Sequence, residues 1–410
     1  MLRSTMVILL SMALLLAGGA SRAFAQDQID DLKAEYQFGS QINFSARLIT
    51  DSPILNAFIF FQEENNAHTY AQPADISAAS AGVYRLSHQA DLQSEPLRAF
   101  SQLQYRFEVT LQSGEVIRSA PVSLAYIDNR FEWQTLEEAP FKVHWIEGEV
   151  PFAQTALDAA QAGLERVRSL ATLTSQDPID IYIYANASEM QQALDLAERQ
   201  WAAGHADPDL NVIMVALPAG PDQQFQTENS IPHELMHVLL YQTLGAGYSV
   251  LPVWLLEGLA SIAELNPNPD YPILLDSAFS RNNLLQIPLL CEGFPADTSN
   301  ALLAYAQSAS FTQYLYRTYG AEGLKRLIAQ YSDGLDCETG AREALGKDLT
   351  QLERQWRQER FEENAELVAL SRLAPWLALL AAVLIVPLLL GIVWLRRKPP
   401  KQAGPRATQG

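Results

Sequence analysis

The sequence predicts a multidomain chain: an all-β sandwich, then an α+β domain with a mainly helical second half, then a C-terminal apolar helix. Three observations predict it: alternating apolar residues between positions 36 and 127, interleaved strand-like and helix-like segments after position 129, and an uncharged apolar run from Leu373 to Leu395. With 48% hydrophobic and 18% charged residues in 410, there is material for more than one packed core, and the composition excludes a disordered chain.

The two ends carry targeting signals. Arg3, the apolar run Met6 to Ala17 and the triplet Ala23-Phe24-Ala25 form a secretory signal over residues 1–25, with Gln26 as the expected mature start. Leu373 to Leu395 is long enough to cross a bilayer, and Arg396, Arg397 and Lys398 follow it at once. This predicts a single-pass cell-membrane protein with an extracytoplasmic body and a short basic cytoplasmic tail over residues 396–410. Pro387 is tolerated in such a span. The formal charge is −19; setting aside two cationic side chains in the signal and five in the tail leaves −26 between them. So acidic a body excludes nucleic acid and anionic lipid surfaces as partners. The only cysteines, Cys291 and Cys337, both fall in the extracytoplasmic part, where a disulfide persists, and are expected to pair.

Residues 26–128 form the predicted sandwich, of the immunoglobulin type, with strands over Gln41 to Ile49, Asn56 to Gln62, Gly82 to Ser87, Leu103 to Leu111 and Val116 to Ala125. His68 and His88 stand alone in it, so it reads as a spacer or recognition module. Residues 129–347 form the second domain. Its predicted strands are Phe141 to Ile146, Ile179 to Tyr184 and Asn211 to Leu217. Its predicted helices are Phe152 to Ala171, Ser188 to Trp201, Ile231 to Leu244, Pro252 to Leu265, Ala301 to Tyr319 and Ala321 to Tyr331. A charged helical stalk over residues 348–372 leads into the span at 373–395.

The chemistry concentrates at His233-Glu234-Leu235-Met236-His237, an H-E-x-x-H motif in an apolar helical setting. Four residues advance a helix by slightly more than one turn, so His233 and His237 share a face and can present two imidazoles to one zinc ion. Glu234 is offset from both, within reach of a water on the ion without binding the metal. Ser230 is the expected N-cap, and Pro232 then falls in the first turn. A third ligand is Glu257 in Pro252-Val253-Trp254-Leu255-Leu256-Glu257-Gly258-Leu259-Ala260-Ser261, because an ionised carboxylate in so apolar a stretch is costly unless paired or metal-bound. Glu264, two turns on, competes for that role. Two histidines and one glutamate leave a fourth zinc position open, as catalytic sites do.

The stretch from His233 to Ser261 resembles the gluzincin clan of zinc metallopeptidases, most closely the peptidase MA-like metallohydrolases. The resemblance runs from about Asn211 to Gly320 and includes Tyr305-Ala306-Gln307-Ser308-Ala309-Ser310-Phe311. It implies a thermolysin-like catalytic domain, with Glu257 as third zinc ligand, Glu234 as general base and a peptide or protein as substrate. It also implies a donor for the oxyanion, for which Tyr305 is the candidate, with Tyr241, Tyr248 and Tyr271 as alternatives. Asn211 to Leu217 corresponds to the clan's edge strand and carries no carboxylate, so the aminopeptidase motif G-x-M-E-N finds no counterpart there. Two other functions fit the same residues: a zinc hydrolase of a non-peptide substrate, and an inert surface binding protein. The oligomeric state and the endo or exo mode are left open by the sequence.

Overall fold

The computed structural model describes residues 27–171, 173, 177–194, 204–362, 373–377, 379–381 and 383–385. The predicted signal over residues 1–25 lies outside them, as do residues 386–395 of the predicted span and the tail. Among the described residues no helix is long and apolar enough to cross a membrane. The described residues fall into two compact units, one within Met1–Glu165 and Thr174–Gly245, the other within Arg166–Leu173 and Ala246–Gly410.

The first unit opens with two antiparallel sheets. One has the order β1 (Gln28–Gln37), β2 (Gln41–Ile49), β6 (Val83–Asp91), β5 (Asp75–Ser80). The other has β4 (Tyr70–Pro73), β3 (Ile54–Glu63), β7 (Gln102–Leu111) and β8 (Val116–Arg118), with β9 (Val122–Ala125) also on β7. Alternation builds the interior: Ile42, Phe44, Ala46 and Leu48 of β2 all point inward. Phe44 meets Phe61 and Tyr105 of the facing sheet at ring distances of 5.2 and 5.1 Å, so the sheets form a sandwich. The single strand predicted over Val116 to Ala125 is two, separated at Ser119-Ala120-Pro121, where Pro121 has no N–H for a ladder.

The same unit continues into a mixed sheet, ordered β10 (Gln134–Glu138), β11 (Phe141–Trp145), β12 (Ile179–Tyr184), β14 (Val212–Ala216), β13 (Gly204–Asp207). β11, β12 and β14 are parallel, and β13 pairs antiparallel to β14. β14 is buried at every position, which is why it reads as a continuous apolar run. This corrects the expectation that Asn211 to Leu217 is the edge strand: β13 holds that edge. Tyr182, Tyr184, Val212, Met214 and Ala216 join the core of the sandwich, so the two sheet systems share one apolar interior.

A polar joint crosses that interior. Asp128 is fully buried and accepts from Arg130 Nε at 2.8 Å and Nη2 at 2.6 Å, and from the Tyr184 hydroxyl at 3.0 Å. Arg130 also donates to the Glu189 carbonyl on α2 (Ala187–Leu194). Burial, with the Asp128 charge beside it, holds the Tyr184 phenol far above its ordinary pKa.

The second unit is helical. It contains α4 (Val253–Ala263), α5 (Asp270–Ser280), α6 (Thr298–Ser332), α7 (Cys337–Leu345) and α8 (Leu349–Phe361), which follow α1 (Val150–Ala171) and α3 (Gln223–Leu244) in the chain. α6 leaves helical geometry at Gly320, whose φ is 68°, and so divides where two helices are expected. Cys291 and Cys337 form a disulfide with a Cα separation of 6.4 Å. Its backbone is tied into the packing around α4. The Cys291 carbonyl accepts from Val253 N at 2.9 Å, and the Cys337 carbonyl accepts from the Tyr331 hydroxyl at 2.8 Å. Tyr331 in turn stands edge-on to Trp254 of α4.

Candidate metal centre

α3 carries the H-E-x-x-H motif. The helix predicted to begin at Ile231 begins instead at Gln223, so Ser230 is not its N-cap and Pro232 lies in the interior. Proline there removes one backbone donor, a cost the structure offsets by packing. Pro232 is buried against Gly163 of α1, where a Cβ would approach the proline ring to 2.9 Å. The two extra turns are anchored at Gln223, whose side-chain amide donates to the Leu217 carbonyl, and at buried Thr227, whose hydroxyl donates to the Gln223 carbonyl. From Ile231 to Leu240 every residue except His233 is buried, so the motif turn sits in a mainly apolar surround.

His233 and His237 lie one turn apart with ring centroids 5.4 Å from each other. Glu257 stands on the first turns of α4. One ligand atom from each of His233, His237 and Glu257 lies within 4.8 Å of the others, close enough to share one ion. Glu264 is not in that group and marks the end of α4, where the backbone turns extended. Two neutral imidazoles and a carboxylate are the donor set that suits zinc, and the three leave room for a further ligand, so the residues present fit a catalytic zinc ion. α4 is positioned by close approach: Trp254 is fully buried against Phe311, and a Cβ on Gly258 would come within 2.7 Å of the Ser308 carbonyl oxygen of α6. A glycine directly after Glu257 therefore lets α4 seat on α6.

Glu234 is buried, at 8% exposure, and its carboxylate faces β13 at Gly204. Sequence periodicity missed this strand, since Gly204-His205-Ala206-Asp207 has no run of alternating apolar residues; a lone glycine is its one signal. Tyr305, on α6, has its ring edge-on to Phe294 at 5.0 Å. Of the alternatives, Tyr271 is half-buried on α5. Its phenol is held well above the ordinary range, first by burial and next by the charges of Glu264 and, more weakly, Glu257.

Residues 159–361 match the family model of the Peptidase MA superfamily. No curated protein matches the chain. Among solved structures, the chain is similar to wild-type OgpA from Akkermansia muciniphila at 12% identity, over 26% of this chain and 30% of that one, with a TM-score of 0.20. It is likewise similar to the sensor domain of the anti-sigma factor RsgI4 of Pseudobacteroides cellulosolvens, at 15% identity over 26% of this chain and 98% of that one, with a TM-score of 0.19. Neither score reaches the level at which a common fold follows.

Proposed function

We propose that this protein is a membrane-anchored, extracytoplasmic zinc metallopeptidase of the gluzincin type, with His233, His237 and Glu257 as zinc ligands and Glu234 as general base. The observation that carries the reading is the convergence of those three ligand atoms within 4.8 Å, inside a Peptidase MA superfamily domain. A zinc ion held there would acidify a water molecule and polarise the scissile carbonyl. Glu234 takes the proton from the attacking water and delivers it to the leaving amine nitrogen. The apolar surround of α3 keeps bulk water from competing for that proton. The Cys291–Cys337 disulfide supports an oxidising, extracytoplasmic setting. The anchor rests on the apolar run Leu373 to Leu395, of which the described residues, Leu373 and Trp376 among them, are helical and exposed.

The reading predicts one zinc per chain and cleavage of a peptide library, abolished by a chelator and restored by added zinc. Stoichiometric zinc without cleavage of any peptide would favour a non-peptide substrate or an inert binding protein. Tyr305→Phe is expected to lower turnover by roughly 10²- to 10³-fold with zinc retained, the usual cost of one oxyanion donor. An unchanged rate would pass that role to another residue, with Tyr271 first in line.

A further inference from the structure

β13 passes the end of Glu234 as bare backbone. A Cβ on Gly204 would stand 2.6 Å from Glu234 Oε1, 3.1 Å from its Cγ and 3.2 Å from its Cδ, all inside van der Waals contact. The glycine is not required by backbone conformation, since Gly204 has no positive φ and pairs in regular antiparallel register with Val215. In a strand, glycine is less favourable than alanine. What it contributes is space on one face. The next residue on that face is the small Ala206, whereas His205 and Asp207 direct their side chains to the other.

We infer that Gly204 is a positioning residue for the proposed reaction: its missing side chain fixes where the Glu234 carboxylate stands. The inference rests on Glu234 being the general base. The colliding atoms are the far end of a flexible side chain, so the low-energy response to a methyl at position 204 is rotation of the carboxylate away from it. The strand and α3 need not move. Fold and metal ligands then persist while the base is displaced, and a misplacement of about 1 Å costs on the order of a hundredfold in rate.

The test compares the full-length chain with its Gly204→Ala, Glu234→Gln, Glu234→Asp and Gly204→Ala/Glu234→Asp variants. Steady-state kinetics on a cleaved peptide, zinc affinity by chelator competition and melting temperature are measured for each. Gly204→Ala is expected to lower kcat about a hundredfold with KM, zinc affinity and melting temperature unchanged. Aspartate is one methylene shorter and clears the added methyl, so in that background the alanine is expected to cost less than about tenfold. Wild-type turnover in Gly204→Ala with an inactive Glu234→Gln overturns the inference and leaves the base intact. Equal losses in both backgrounds, or a loss that follows zinc affinity or melting temperature, overturn it too by making Gly204 merely structural. Full activity in Glu234→Gln removes the base itself, and the inference with it.

Discussion

Glu234→Gln is expected to retain zinc at wild-type stoichiometry and to lower peptide hydrolysis by roughly 10²- to 10⁴-fold, the range that general acid–base catalysis contributes. The amide keeps the shape of the carboxylate but cannot take up a proton from water at neutral pH. Glu234 is not in the group of three ligand atoms, so metal binding has no reason to fail. The loss should therefore appear in kcat more than in KM, because proton transfer belongs to the transition state and not to substrate binding. Kinetics and metal analysis on one sample decide the matter. Turnover within about threefold of wild type at full zinc occupancy would remove Glu234 from the role of base.

The pairing of His233 and His237 was legible because helix geometry dictates its spacing: imidazoles four residues apart on one helix share a face whatever surrounds them. Glu257 stood out for a different reason, as a carboxylate within an apolar helical run, and the structure groups it with the two imidazoles. The helix start was not. Ser230-Ile231-Pro232 reads as a cap and first turn by local preference, yet the packing of Pro232 on Gly163 carries the helix back to Gln223. Local rules set a default there, and a contact distant in sequence overrode it.

The strands divide in the same way. Of those read from alternation, β2, β3, β6, β7, β11, β12 and β14 occupy interior sheet positions, while β8 and β9, read as one strand, each pair with β7. Those missed, β1, β4, β5, β10 and β13, are all edges. An edge strand is half solvated and carries polar residues against unwanted pairing, so it lacks the apolar periodicity that betrays its neighbours. β5 is exposed at every position, and β1 buries only Ile29. This is also why Gly204, on an edge, was invisible until the fold set it beside Glu234.

Asp128→Ala is expected to destabilise the first unit by about 3 kcal/mol, near the lower end of what removing one partner of a buried ion pair costs, because Arg130 keeps some access to water. The wild-type carboxylate satisfies Arg130 Nε and Nη2 and the Tyr184 hydroxyl together. Without it, the buried phenol loses its acceptor and the guanidinium keeps only its bonds to Glu189 and Gln192, at the point where the sandwich and the mixed sheet share a core. The composition of Asp128-Asn129-Arg130 is that of an exposed turn, and only burial reveals it as a joint. Asp128→Asn keeps the shape and part of the hydrogen bonding, so its loss should be smaller. Chemical denaturation of both variants measures the difference. A midpoint for Asp128→Ala equal to wild type would mean that water replaces the carboxylate at no cost. The apolar contacts of Tyr182, Tyr184 and Met214 would then suffice to join the two sheet systems.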